Sequence, residues 1–315
     1  MSAKRYKNSV SSVKLKYILV VLIPAFNEED MIGLTIKKVR RELNKIKFLE
    51  TLIYVIDDGS SDSTSYKSHF SGANKVISHK INRGLGAAVR SGLQAAKDIN
   101  ADFVIKFDAD LQHDPKDILP MINPLINDES DIVYGNRFRQ IDYSMPLIRR
   151  LGNKTFTALM RWLTGWPLKD SQPGIFAVNK SYLECFFIPG DYNYTQQILL
   201  DAYHKNLRFS HIDVHFTKRI TGKSFITFKY PLQVLPQIFM VLISVRPMKV
   251  FLPIGSLFFL AGSLIFIFQI YFWIIGTNDQ PVNNVNLVMG LIFFGLHTIF
   301  FGILAELIVQ ITRRQ

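Results

Sequence analysis

Two short acidic strings in this 315-residue chain carry residue types that can do chemistry. The first is Asp108–Ala109–Asp110. Alternate residues of an extended segment share a face, so Asp108 and Asp110 point the same way, with Gln112 on the same side. Two carboxylates held that close repel each other unless a cation sits between them. Mg²⁺ or Mn²⁺ is the ready candidate, bound by one or two carboxylates together with the phosphate oxygens of a substrate. The second string is Asp57–Asp58–Gly59–Ser60, acceptors followed by a turn glycine. One of its aspartates can accept from the N–H groups of a nucleobase or from a ribose, while Ser60 or Asp62 can cap the next helix. In PAFNEE, Glu28 and Glu29 suit a helix N-terminus. In residues 82–88 the glycines permit close backbone approach.

These strings need elements to hold them. Residues 18–24 form a continuous apolar, β-branched run, the pattern of a buried parallel strand. Helical spacing follows over 28–43, and a second strand over 51–56 ends at Asp57. A helix is expected at 62–70, a short strand at 75–78 and a helix of small residues at 86–98. A strand at 102–107 runs into Asp108, Pro115 opens a further helix, and 131–134 is another strand. This alternation predicts a doubly wound α/β domain. In such sheets ligands bind beyond the carboxyl ends of the strands, where both acidic strings fall.

Composition narrows the partners. The net charge is +12, from 37 Lys+Arg against 25 Asp+Glu, which suits a phosphate-bearing partner. No nucleic-acid-binding module is visible, so nucleic acid is not expected as that partner. One cysteine, Cys185, excludes a disulfide framework and a CxxC-type zinc site. The apolar run at 17–25 follows several lysines, but it is short and enters PAFNEE without a small-residue cleavage site, so it is a strand and not a leader.

The C-terminal third differs. Residues 251–275 carry no charge, and 287–311 only Glu306. Each run is about 25 residues, roughly 37 Å as a helix against a hydrocarbon core of roughly 30 Å, which predicts two transmembrane helices. Arg246 and Lys249 precede the first span, Arg313 and Arg314 follow the second, and the connector 276–286 has no Lys or Arg. The positive-inside rule then puts the large N-terminal domain in the cytoplasm, at a plasma membrane in a prokaryote or the endoplasmic reticulum in a eukaryote. On a helical wheel, residues 146–166 set Ile148, Leu151, Phe156, Leu159, Trp162, Leu163 and Trp166 opposite Arg150, Lys154 and Arg161. That is the pattern of a helix lying among headgroups. The expected organisation is a basic tail (1–16), a domain (17–229), an interfacial segment interrupted by prolines (230–249) and a membrane hairpin (250–315).

PAFNEE, VIDDGSSDST, NRGLGAAVRSGL, KFDADLQHDP, YGNRF and KRITGKS occur here in one order. Over residues 17–230 the chain resembles the inverting GT-A glycosyltransferases of the polyprenyl-phosphate type, namely the dolichyl-phosphate mannose and glucose synthases and the bacterial undecaprenyl-phosphate glycosyltransferases. The resemblance implies a Rossmann-like GT-A domain with two C-terminal spans. It implies transfer of a hexose from GDP-mannose or a UDP-sugar to a polyprenyl (dolichyl) phosphate in the bilayer, with inversion. Pro24, Glu28 and Asp58 then match nucleotide-binding positions. Asp108, Ala109, Asp110 and Gln112 match the metal and diphosphate motif. Arg219 and Lys223 match residues near the donor diphosphate, and Arg137 with Arg149 or Arg150 match residues near the acceptor phosphate. Asp170 in DSQPG matches an acidic residue preceding a glycine that faces the acceptor. The chain departs from the family at Gly174–Ile175–Phe176, where Gly-Phe-Arg is frequent, and at Gln197, where a glutamate is common. Glu306 matches a glutamate of the second span. Catalysis would rest on Asp108, Asp110, Arg219 and Asp170. A phosphate acceptor is already anionic and needs no strong base, whereas a lipid hydroxyl would need one, for which Asp170 is the candidate. A non-catalytic nucleotide-sugar-binding subunit is the remaining alternative, and an oligomer is open.

Overall fold

The computed structural model describes residues 17–141, 147–188, 191, 194–217, 243 and 246–314. The tail 1–16 and most of the segment 230–249 lie outside the described residues. The chain divides into two compact units: 1–146, 169–198 and 207–222 form the first, and 147–168, 199–206 and 223–315 the second.

The first unit is built on seven strands: β1 (Tyr17–Ala25), β2 (Leu49–Asp57), β3 (Lys75–Ser78), β4 (Phe103–Lys106), β5 (Ile132–Ile141), β6 (Phe176–Asn179) and β7 (Phe209–Phe216). They lie in the order β3-β2-β1-β4-β6-β5-β7. β1 pairs in parallel with β2 and β4, β2 with β3, and β5 with β7. β6 runs antiparallel to both β4 and β5. β1 is apolar throughout because helices cover both faces, and its last seven residues are buried. On α1 (Ile32–Leu43) the buried Ile32, Ile36, Val39 and Leu43 recur at helical spacing. They enter one core with Ile53, Val55, Ile105 and Phe107. Each such side chain contributes about 1.5–3 kcal/mol relative to exposure. α2 (Thr64–Phe70) follows β2, and α3 (Leu85–Asp98) buries Ala87, Ala88, Ala95 and Ala96. A 3-10 turn at Pro115–Asp117, capped by the Asp114 side chain, leads into α4 (Ile118–Ile126).

Two boundaries of the first unit shift by four residues or more from the sequence expectation, each for a local reason. α1 starts at Ile32, not residue 28. Asn27 adopts a left-handed φ of 52°, and the backbone N–H groups of Glu28 and Glu29 donate to Thr64 Oγ1 and Asp62 Oδ2. Those donors are satisfied outside a helix. β5 continues to Ile141 instead of ending at residue 134, because backbone pairing to β7 carries it through a register shift between Asn136 and Gln140. β6 and β7 were not anticipated.

The remaining helices are α5 (Leu147–Thr164), α6 (Lys180–Cys185), α7 (Tyr194–His204), α8 (Pro247–Ile274) and α9 (Val285–Arg314). Within the second unit, α5 buries Asn153, Thr157, Met160, Leu163 and Thr164 and exposes Lys154, Arg161 and Trp162. The buried stripe is thus partly polar, with Thr157 Oγ1 donating to Asn153 Oδ1 at 3.1 Å. The wheel placed Trp162 and Leu163 on one face, and the structure separates them. Lys249 at the start of α8 stacks over the Trp162 ring, 4.2 Å from its centroid. α8 and α9 are long and apolar enough to cross a bilayer, and only 11% and 17% of their apolar windows are buried. They pack antiparallel, the Gly255 backbone against Gly295 and Gly302 against Phe251.

Candidate active site

β1, β2 and β4 finish at one edge of the sheet. β1 lies between the other two, so the chain leaves this point in opposite directions along the sheet, which is where α/β sheets open a crevice. Ala25 pairs with Asp57 and Leu22 with Lys106, so one acidic string begins at the last paired residue of β2 and the other just past that of β4.

The loops after β1 and β2 are laced together. Asn27 N donates to Ser60 Oγ and Ser61 N to Asn27 Oδ1, both at 2.9 Å. Ser60 N donates to Asp57 Oδ1 at 3.0 Å. Gly59 has φ +75°, and a Cβ there would sit 2.5 Å from the carbonyl carbon of Ile81, so only glycine fits. Asp58 is 3% exposed. Its Oδ1 accepts from Arg83 N at 3.0 Å and its Oδ2 from Gly84 N at 2.7 Å. His79 Nδ1 lies 2.6 Å from Oδ1, and His79 Nε2 is 2.9 Å from Ser91 Oγ. A carboxylate removed from water needs donors, and here the protein supplies them. Asp58 brackets loop 82–84. Pro24 is buried in β1 opposite Ile56, and Glu28 is half-buried in the laced loop.

The turn after β4 is different. Asp108 is 26% exposed, Ala109 is buried and Asp110 nearly so. Thr35 of α1 donates to the Ala109 carbonyl. Leu111 takes a left-handed φ of 57°, and Asp110 Oδ1 accepts from Gln112 N at 3.1 Å. Gln112 is stitched to the end of β7: Thr217 N donates to Gln112 O at 2.8 Å, and Gln112 Nε2 to Thr217 O at 3.2 Å. Lys106, 1% exposed, forms an ion pair with Asp108 Oδ1 and donates to Gly174 O at 2.7 Å. Burial is the largest single influence and would lower its pKa, but Asp108 and Tyr194 together raise it above the usual lysine value. His113 is buried with its Nε2 3.7 Å from Asp108 Oδ2. Burial pulls its pKa down to about 4, so the ring is neutral at pH 7. A Cβ at Gly174 would lie 2.3 Å from His113 Nε2 and 2.7 Å from Asp108 Oδ2, so this glycine forms a wall of the turn. Lys106 and His113 are absent from the sequence-based assignment. The one signal for Lys106 is a charge ending an apolar strand.

Among the described residues, no three or more His, Cys, Asp or Glu side chains gather as a metal cage. Asp108 and Asp110 therefore fit a hard cation that takes its other ligands from phosphate and water, as Mg²⁺ or Mn²⁺ does, and do not fit a closed zinc site.

The expected acceptor residues are dispersed. Arg137 is buried, its Nε 2.9 Å from Asp170 Oδ2 and its Nη2 donating to Gln172 O at 2.8 Å. The guanidinium also lies 5.6 Å from the Phe138 and Phe216 ring centroids. Asp170 is fully buried and accepts from Gln172 N at 2.9 Å. The expectation of Asp170 as a base is corrected: a carboxylate in a dry ion pair has no path to a hydroxyl. Arg137 likewise faces Asp170, not an open surface. Arg149 and Arg150 are on α5 in the second unit, with side chains outside the description, and Arg219 and Lys223 lie outside the described residues. Gln197 is half-buried on α7, and Glu306 Oε2 lies 3.5 Å from Met248 N within the second unit.

Comparison with known proteins bears on the family and the fold. The UDP-N-acetylglucosamine–dolichyl-phosphate N-acetylglucosaminyltransferase of Methanococcus voltae is 36% identical over 186 residues, 53% of this chain and 71% of that protein. The dodecaprenyl-phosphate galacturonate synthase of Rhizobium johnstonii is 26% identical over 93% of this chain and 88% of its own length. Glucosyl-3-phosphoglycerate synthase from Mycobacterium tuberculosis, crystallised with Mn²⁺ and UDP-glucose, superposes with a TM-score of 0.57 at 22% identity, covering 73% of this chain and 79% of that one. The last supports the fold, a GT-A Rossmann-like mixed sheet. The family model for glycosyl transferase family 2 spans residues 20–187, from β1 through both acidic turns to beyond α6, and the chain belongs to that family of glycosyltransferases.

Proposed function

We propose that the chain transfers a hexose from a nucleoside diphosphate sugar to a polyprenyl phosphate such as dolichyl phosphate, inverting the anomeric centre. The observation that carries this is the pair Asp108 and Asp110 at the point where β1, β2 and β4 end together. The names of the Methanococcus and Rhizobium relatives, one a dolichyl-phosphate and the other a dodecaprenyl-phosphate enzyme, support the acceptor class. GDP-mannose and UDP-sugars remain the donor candidates.

Asp108, Asp110 and Gln112 would hold Mg²⁺ or Mn²⁺, which as a Lewis acid offsets the charge growing on the leaving diphosphate. Asp58 holds loop 82–84 in place for the nucleoside, and Pro24, Glu28 and Ala109 line the same edge. Arg219 and Lys223 follow Thr217, which is tied to Gln112, and would add charge-assisted hydrogen bonds to the diphosphate. Arg149 and Arg150 would neutralise the acceptor phosphate. Arg137 fixes the 170–174 segment through Asp170 and Gln172. The burial of Asp170 favours a phosphate acceptor over a hydroxyl, because the former needs no base. α8 and α9 would span the bilayer with the catalytic domain on the cytoplasmic side, raising the effective concentration of a lipid-bound acceptor.

The test incubates the purified full chain with dolichyl phosphate and a panel of labelled nucleotide sugars, with and without EDTA. Label in the organic phase that chelation abolishes is expected. No transfer from any donor rejects the reading, and undiminished transfer in EDTA rejects its metal site.

A further inference from the structure

Lys106 takes no part in the mechanism above, yet it is the most completely enclosed charge beside the catalytic turn. It ends β4 after Phe103, Val104 and Ile105, where an apolar side chain would bury at less cost. Its ammonium meets Asp108 Oδ1, the Gly174 carbonyl and the Tyr194 hydroxyl. All three belong to the first unit, and all are fixed: Gly174 leads into β6 and Tyr194 opens α7. The ammonium is therefore held against one of the two carboxylates that a divalent cation would use. The turn and its lysine together carry one net negative charge, where the two aspartates alone carry two. A free divalent cation approaching this turn meets a carboxylate already paired and a positive charge directly behind it. A cation arriving on a diphosphate brings its own negative oxygens, and for that complex the lysine is no longer repulsive.

We infer that Lys106 is a built-in counter-cation that keeps the affinity of the Asp108–Asp110 turn for free Mg²⁺ or Mn²⁺ low, so that metal enters and leaves with the nucleoside diphosphate. The inference rests on the reading of this turn as the metal site. Lys106 acts through Asp108 and is a positioning residue, not a catalytic one.

Mn²⁺ binding to the purified full chain, read from the electron paramagnetic resonance signal of the free ion, tests it without reference to turnover. The wild type should bind Mn²⁺ weakly alone and at least tenfold more tightly with UDP or GDP present. Lys106→Met should tighten binding of Mn²⁺ alone at least tenfold and shrink the gain from nucleotide by the same factor. Lys106→Gln, closer in shape and still a donor, should behave likewise and serves if the methionine variant fails to fold. Lys106→Arg keeps the charge and should stay weak. Unchanged or weaker binding of Mn²⁺ alone in both neutral variants overturns the inference, as does a wild type that binds Mn²⁺ equally well with and without nucleotide. Asp110→Asn separates the two levels. If it retains full transfer, and no form binds Mn²⁺ even with UDP or GDP, the metal-site reading itself falls.

Discussion

The two acidic turns are near twins in sequence and opposites in structure. Around Asp58 every carboxylate oxygen meets a donor fixed by the fold: the Arg83 and Gly84 backbone and the His79 ring. Around Asp108 one oxygen meets Lys106, the other faces the neutral His113 ring at 3.7 Å, beyond hydrogen-bond reach, and the group stays partly open. The first turn has the chemistry of a bracket and the second that of a socket. Acidic strings at strand ends are therefore not equivalent signals. What separates structural from chemical use is whether the protein itself completes the coordination.

Breaking the socket should have the largest effect. Asp110→Asn removes one charge at the turn and should lower transfer by about 10³-fold, near 4 kcal/mol of barrier, with an unchanged melting curve. Comparable activity would erase the contrast between the turns. Gly174→Ala drives a methyl into His113 and Asp108, and overpacking of this kind costs about 1–3 kcal/mol. Its loss should appear in transfer rate more than in melting temperature, since the displaced carboxylate belongs to the proposed metal site. Asp58→Asn should do the reverse. It leaves donors of the 83–84 loop underused and should destabilise the protein by about 1–3 kcal/mol, read by thermal melting. An Asp58→Asn protein of wild-type stability would show the bracket to be dispensable.

The last test is a pH slope, which bears on stability and not on either turn's chemistry. Burial lowers the pKa values of His113 and His211 to about 4. His211 Nε2 accepts from Lys169 N at 2.9 Å, which requires the neutral ring. In the unfolded chain both titrate near the usual value of about 6.5, so between those values the unfolded state binds more protons. Stability is therefore full above about pH 6.5 and declines as pH falls towards 4. Melting temperatures measured from pH 7 to 4.5 should drop along this course, and a flat profile would contradict it.

Much of the scaffold is legible in the chain because the parallel strands are apolar runs closed by turn residues. The strand at 75–78 is found where expected, and β2 and β4 each end at an acidic string. Partnerships across the sequence are not legible. Asp58 and His79 are 21 residues apart, and Tyr134 and Thr195 are 61 apart. Nothing local marks Arg137 as the mate of Asp170. Lys106 is hidden for another reason: a lysine at a strand end normally marks the surface, and only the packing of β6 and α7 over it makes it interior. On α5, side-chain polarity misleads because a threonine–asparagine pair goes inside while a tryptophan stays out.

The reversed direction of β6 has a consequence for how this architecture can vary. Phe176 pairs with Lys106, so the residues entering β6 arrive at the same rim from which the parallel strands depart. The segment delivered there is held on its way in, because Asp170 is fully buried against Arg137 and Gly174 abuts His113 and Asp108. A substitution between Asp170 and Gly174 is therefore felt at Asp108, although that carboxylate is more than sixty residues earlier in the chain.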